Sequence, residues 1–190
     1  MAGYDEKEIR EHQRLCDDFR RDLPEGPWTN EPDRKHWVYK DIDCLIVRNA
    51  AMGGLCGYIG IPYGHPWHGK GYDEIDVDCH GGATYSGECA HFVCHDPEEG
   101  ANDNVWWVGF DCAHGQDYLP YMKKPDMQST FAKYDPMGTK VESPWGEVKY
   151  RTVDYVMKEC ESMVRQLLQI PFTKKDPATG IIGGKRKLQI

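Results

Sequence analysis

No stretch of this chain approaches the roughly 18 consecutive apolar residues that a membrane-spanning helix needs. Nothing at the acidic, amphipathic N-terminus reads as a secretory signal, so the eight cysteines are expected as reduced thiols of a cytoplasmic protein, without a disulfide. No two of them form a CxxC pair, which removes the zinc knuckle and the thioredoxin-type motif. GxSxG, HExxH, P-loop and PCxxC signatures are missing as well, so no standard catalytic motif is present. Basic residues are scarce: 23 Lys and Arg stand against 31 Asp and Glu, a formal charge of −8 that argues against a duplex nucleic-acid binder. Apolar residues reach only 39%, but 12% of the chain is aromatic, and each ring buries a large area. With 190 residues the chain can enclose one genuine core.

The periodicities present predict an α+β domain over residues 1–190: a mainly antiparallel sheet packed by a long C-terminal helix, with an N-terminal helix before it. Residues 5–23 read as the first helix. Asp5 and Glu8 stand at capping-box spacing, Ile9, Cys16 and Phe19 fall near one face, and Pro24 and Pro27 end it. Residues 36–112 read as a β-rich core that carries the site. Short β-prone runs at 37–40, 44–48, 55–62, 75–79, 88–95 and 105–110 alternate with turns. Residues 150–170 carry Val153, Val156, Met157, Cys160, Met163, Val164, Leu167 and Leu168 at helical spacing, a core-facing stripe that Pro171 closes. Residues 171–190 form a basic, Gly-rich tail.

Residues 76–117 hold four of the eight cysteines and four of the eight histidines. Within them, DCHGGATYS (78–86) and GFDCAHGQD (109–117) set His, Asp, Thr, Tyr and Ser beside glycines, where β-runs end and side chains can leave the sheet for a cleft. His80, Thr84, Tyr85, Ser86, Asp111, His114 and Asp117 are therefore the expected ligand-binding residues, with His65 and Trp67 of the aromatic loop YGHPWHGKGY as a roof. The zinc-preferred ligand types are plentiful, from Cys79 and His80 through Cys89, His91, Cys94 and His95 to Cys112 and His114. Yet Cys89 and Cys94 are five apart, an odd offset that faces them oppositely in a regular strand, and buried cysteines act as small hydrophobes. No metal and no cofactor is expected on this basis. Catalysis is the competing reading: a hydrolase would draw on His80, Asp111 and His114. Cys112 could serve as a nucleophile beside an imidazole, although burial next to Phe110 and acidic neighbours work against its thiolate.

Four strings, LCGYIGIPYGHPWHGK, DVDCHGGATYS, WWVGFDCAHGQD and YRTVDYVMKECESMVRQL, occur in that order. Together they resemble a widespread group of small phage and prophage proteins marked by HGGxTYS and GFDCAHxxD strings, over roughly residues 34–168. Several phage proteins of this size sequester the nucleotide second messengers of bacterial immunity. The resemblance implies a non-enzymatic anti-defence protein in the cytoplasm of an infected bacterial host, holding a small anionic nucleotide-like molecule. Its partners would be that ligand and further copies of the chain in a homo-oligomer, with no duplex nucleic acid and no membrane. Bases would stack on Tyr63 or Trp67, and Thr84, Tyr85, Ser86 and the backbone at Gly81–Gly82 would hold ribose or phosphate. In so acidic a protein a cation must offset the ligand, and Arg34, Arg48, Lys70, Lys185, Arg186 and Lys187 are the candidates.

Overall fold

The computed structural model describes residues 6–23, 25–94, 105–122, 141–143 and 146–172. Five antiparallel strands form one sheet: β1 (Arg34–Tyr39), β2 (Ile42–Arg48), β3 (Leu55–Ile61), β4 (Tyr85–Glu88) and β5 (Trp106–Asp111), in the spatial order β1-β2-β3-β5-β4. A separate two-stranded sheet pairs β6 (Val141–Ser143) with β7 (Gly146–Val148). Helix α1 (Glu6–Arg20) precedes the sheet and α2 (Val153–Leu167) follows it. The α+β class is therefore present, with an N-terminal and a C-terminal helix. Among the described residues no helix is long and apolar enough to cross a membrane.

Strands β1 and β2 join through a two-residue turn in which Lys40 and Asp41 both take positive φ, +50° and +62°. That is the primed-turn geometry whose twist matches the flanking strands. β2 is buried on both faces. Ile42, Cys44 and Ile46 face α2, while Leu45 and Val47 point to a second cluster with Tyr58, Trp107, Cys89 and Cys94. α2 lays Val153, Val156, Cys160, Met163, Val164 and Leu167 onto the first face. Each such side chain contributes about 1.5–3 kcal/mol when fully removed from water. The helix approaches so closely at β3 that a Cβ on Gly57 would overlap Phe110 and the Cys160 sulfur.

Several expectations change. α2 is 15 residues, shorter than 150–170. Thr152 caps its start by accepting a hydrogen bond from Tyr155 N (3.3 Å), and Tyr150 before it is committed elsewhere. α1 buries only His12 and Cys16, and Phe19 is exposed, so it is held by polar contacts more than by an apolar stripe. Its expected cap, Asp5, lies outside the described residues, as do residues 95–104 and those from 173 onward. Residues 75–79 alternate apolar and acidic side chains yet form no strand. The Gln166 side chain donates to Asp78 O (2.7 Å) and accepts from Asp78 N (2.8 Å), taking the place of a neighbouring strand. Nor is 88–95 a strand. β4 ends at Glu88, the chain reverses through an Ala90–Val93 bridge with His91 at φ +52°, and Cys89 and Cys94 come within 4.6 Å (Cα–Cα) in a disulfide. The expectation of eight free thiols is thus corrected. The odd offset separates side chains on an extended strand, but not across a tight reversal.

A buried polar hub ties the two helices to the sheet. Arg48, fully buried at the end of β2, donates Nε to Asp33 Oδ1 (2.6 Å) and Nη1 to Gly53 O (2.9 Å) and the Tyr150 hydroxyl (2.6 Å). Arg20 of α1 also bonds Asp33. Glu31 accepts from the Tyr150 hydroxyl (2.6 Å) and from Val153 N (2.9 Å), placing a carboxylate at the positive end of α2.

Candidate functional site

Two of the glycine-bounded strings and the start of α2 meet at one end of the sheet. After β5 the chain turns: Asp111 Oδ1 accepts from Ala113 N (3.0 Å), and Asp117 N donates to His114 O (2.9 Å). Tyr118 N donates to Lys149 O and Lys149 N to Gln116 O, each 2.9 Å, so Asp117 lies beside the segment that leads into α2. Two residues on, Arg151 donates Nε to Asp117 Oδ1 (2.8 Å). The hub and the Thr152 cap fix the first turn of α2. That turn presents Tyr155, whose hydroxyl stands 2.9 Å from His80 Nδ1. The opposite ring nitrogen, Nε2, is 2.8 Å from Asp117 Oδ2. The same oxygen accepts from His114 N (2.9 Å) and lies 3.3 Å from His114 Nδ1.

Gly81 and Gly82 take positive φ, +68° and +87°, in the turn that delivers His80. At Gly81 glycine is required twice over, because a Cβ there would run into the His114 ring.

The electrostatics follow from these contacts. Burial alone would raise the Asp117 carboxyl, but hydrogen bonds from Arg151, His80 and the His114 N–H hold it below the usual carboxylate range. His80 thus bridges the Tyr155 hydroxyl and the Asp117 carboxylate through its two ring nitrogens, and its tautomer decides which of them donates. Burial and the Glu159 carboxylate raise the Tyr155 hydroxyl, so it remains a donor at neutral pH. Cys112 does not join this chemistry. Burial, then the Asp117 charge, push its thiol far up, which removes the nucleophile.

His80, Gly81, His114, Asp117 and Arg151 line a cavity of about 600 Å³, within the span of small-molecule sites. His80, His114 and Asp117 each offer a metal-ligating atom, and the three atoms lie within 4.8 Å of one another. A cavity of about 620 Å³ opens elsewhere, between α1 and the disulfide turn. Leu15, Val47, Tyr58 and Phe92 make it largely apolar, and its polar contacts, His91 with Glu8 and His12 with the Arg48 carbonyl, are separate pairs and not one cluster. The polar cavity is the better candidate.

The structure thus brings together three of the expected residues, His80, His114 and Asp117. The others lie elsewhere. His65 is buried, its Nε2 3.2 Å from Leu167 O and its Nδ1 accepting from Trp67 N, and Trp67 is buried in the core under α2. The expected roof has folded inward. Thr84 is exposed at the edge of the sheet, its backbone N bonded to Gly109 O. Tyr85 packs edge-on against Tyr58 on the face away from α2, and Asp111 acts electrostatically on Cys56 and Tyr58 of that same face. Ser86 pairs with Val108 within the sheet. Of the expected cations, Arg48 is consumed in the hub and Arg34 bonds the carbonyls of Phe92 and Cys94. Lys185, Arg186 and Lys187 fall outside the described residues.

Arg151 and Tyr155 were not singled out. Their signal was present in the string YRTVDY, polar groups placed immediately around a helix cap and off the apolar stripe. No family model, curated protein or solved structure matches the chain.

Proposed function

We propose that this cleft captures a small anionic, phosphate-bearing ligand of the nucleotide class. One observation carries the reading. Arg151 is held in place by its Nε bond to Asp117 and by stacking over the Tyr155 ring, 4.9 Å to the centroid. Its two Nη groups make no hydrogen bond among the described residues, although the side chain lines the cavity. A guanidinium fixed at Nε with both Nη groups open is pre-organised for bidentate contact with a phosphate. His114, more than a third exposed on its side chain, borders the same space. In the setting that the phage resemblance implies, capture of such a molecule would withdraw a nucleotide signal from a bacterial host.

The test is calorimetry against inorganic phosphate, pyrophosphate, ADP-ribose and cyclic di- and oligonucleotides. At least one phosphate-bearing member should bind with Kd below about 10 µM, near −7 kcal/mol. Arg151→Gln should weaken it about tenfold or more, the loss of roughly one charge-assisted bond. If no member binds, or if Arg151→Gln binds equally well, the reading fails.

Hydrolysis is the second reading, and a specific contact favours it. Asp117 orients His114 through Nδ1, leaving Nε2 without a hydrogen bond among the described residues, the arrangement of a His–carboxylate base. Mass analysis of the ligand released by denaturation separates the two. Capture returns it intact, whereas hydrolysis returns products.

A further inference from the structure

We infer that His80, His114 and Asp117 form a binding site for one divalent transition-metal ion, with zinc as the best match and cobalt as its spectroscopic stand-in. The donor set is two imidazole nitrogens and one carboxylate oxygen, the ligand types that first-row ions of intermediate softness take. Three protein ligands with an open side is the pattern of sites that keep a position for a further group, unlike closed structural sites.

The geometry is close to what coordination needs. Ligands about 2.0–2.2 Å from a tetrahedral ion stand roughly 3.3–3.5 Å from one another. Here His80 Nε2 and His114 Nδ1 lie 2.8 and 3.3 Å from Asp117 Oδ2, and all three atoms fall within 4.8 Å. Adjustments of well under a side-chain rotamer change open this cluster around an ion.

Two of the ligands are also steadied from behind, and the third is given room. Tyr155 holds the far nitrogen of His80, Arg151 holds Asp117 Oδ1 so that Oδ2 faces inward, and glycine at 81 makes room for the His114 ring. Such backing contacts are what orient metal ligands in general.

Charge gives an independent reason, one that rests on the phosphate reading above. The Arg151 guanidinium is already paired with the Asp117 carboxylate, in a chain of formal charge −8. A divalent ion at these three ligands supplies two positive charges beside the open Nη groups of Arg151, and a phosphate oxygen can complete its coordination.

The experiment uses the full chain, stripped with a chelator and then titrated with Zn²⁺ by calorimetry and with Co²⁺ by visible absorption. The expected result is one equivalent bound, with a d–d band of four- or five-coordinate cobalt. His80→Ala and His114→Ala should each weaken binding by at least about tenfold. His114 is the most exposed of the three ligands, so His114→Ala is the variant best placed to stay folded, and circular dichroism checks that it does. Failure to bind either ion, or equal binding by a folded His114→Ala variant, overturns the inference. A parallel phosphate titration with and without metal keeps the two ideas apart. Metal binding with no member of the phosphate-bearing panel bound supports this site and sinks the capture reading, and phosphate binding by a wild-type chain that takes up neither ion does the reverse.

Discussion

Replacing Asp33 with Asn tests whether the buried hub holds this fold together. The change keeps the shape of the side chain and removes its charge. Asp33 is 2% exposed, and its carboxylate accepts from Arg48 Nε, Arg20 and Gln13 Nε2, the last at 2.7 Å. Once it is neutral, Arg48 remains fully buried. Its nearest remaining negative group is Glu31, 3.6 Å from Nη2, a nitrogen that makes no hydrogen bond among the described residues. Removing one partner from a buried ion pair costs about 3–5 kcal/mol, because the other charge is stranded. In a domain of this size that corresponds to a fall in Tm of roughly 6–20 °C. Urea and thermal unfolding of Asp33→Asn, Arg48→Met and the double variant provide the measurement. The double variant should be less destabilised than the sum of the singles, since it strands no charge. A loss below about 1 kcal/mol for Asp33→Asn, or strict additivity, would refute the reasoning.

The pH dependence follows with a definite sign. Burial would raise the Asp33 carboxyl, but the hydrogen bonds and charges of Arg20 and Arg48 hold it below its ordinary value in the folded state. A depressed folded value gives stability that is fully present above the unfolded value of about 3.9 and is lost as pH falls through the folded one. Wild-type and Asp33→Asn stabilities should therefore differ most near neutrality and converge in strong acid.

Four further outcomes are expected. Thiol titration of the denatured, unreduced chain should find six thiols, and eight after reduction, because Cys89 and Cys94 are paired. Replacing both by Ser should cost about 2 kcal/mol from opening a six-residue loop in the chain-entropy picture, read by urea unfolding. In the native state Cys16 and Cys44 should resist thiol reagents near pH 8, since burial lifts both to about 12. Gly81→Ala should cost about 1–3 kcal/mol, from positive φ and collision with the His114 ring, and should weaken phosphate binding in the same calorimetric assay.

The parts of this fold that follow local rules were legible in the sequence. The α2 stripe depends only on 3.6-residue spacing, and its six buried residues were all in the expected set. The meeting of His80, His114 and Asp117 was readable from polar residues set beside glycine in two strings, although only the second leaves a strand, β5. What local pattern does not contain is direction after a turn. Glycines and prolines at 62–71 mark an irregular loop, which normally lies at the surface, but they do not say that His65 and Trp67 turn inward beneath α2. Alternation at 75–79 reads as a strand and is not one, and only the tertiary structure reveals that Gln166 bonds it where a neighbouring strand would. Arg151 and Tyr155 join the site through a helix cap that depends on Glu31, about 120 residues away in sequence, and no windowed reading reaches that far.

The order of the strands along the chain has a consequence for synthesis. β1, β2 and β3 are consecutive neighbours, and all five strands of the main sheet are complete by Asp111. Arg151 and Tyr155 lie about 40 residues further on. On a ribosome, the scaffold is therefore fully translated while the cleft still lacks its guanidinium, the hydroxyl that positions His80 and the helix that covers the sheet. A nascent chain stopped at residue 122 carries His80, His114 and Asp117 without Arg151 and Tyr155, so the cleft is complete only once the first turn of α2 has been made.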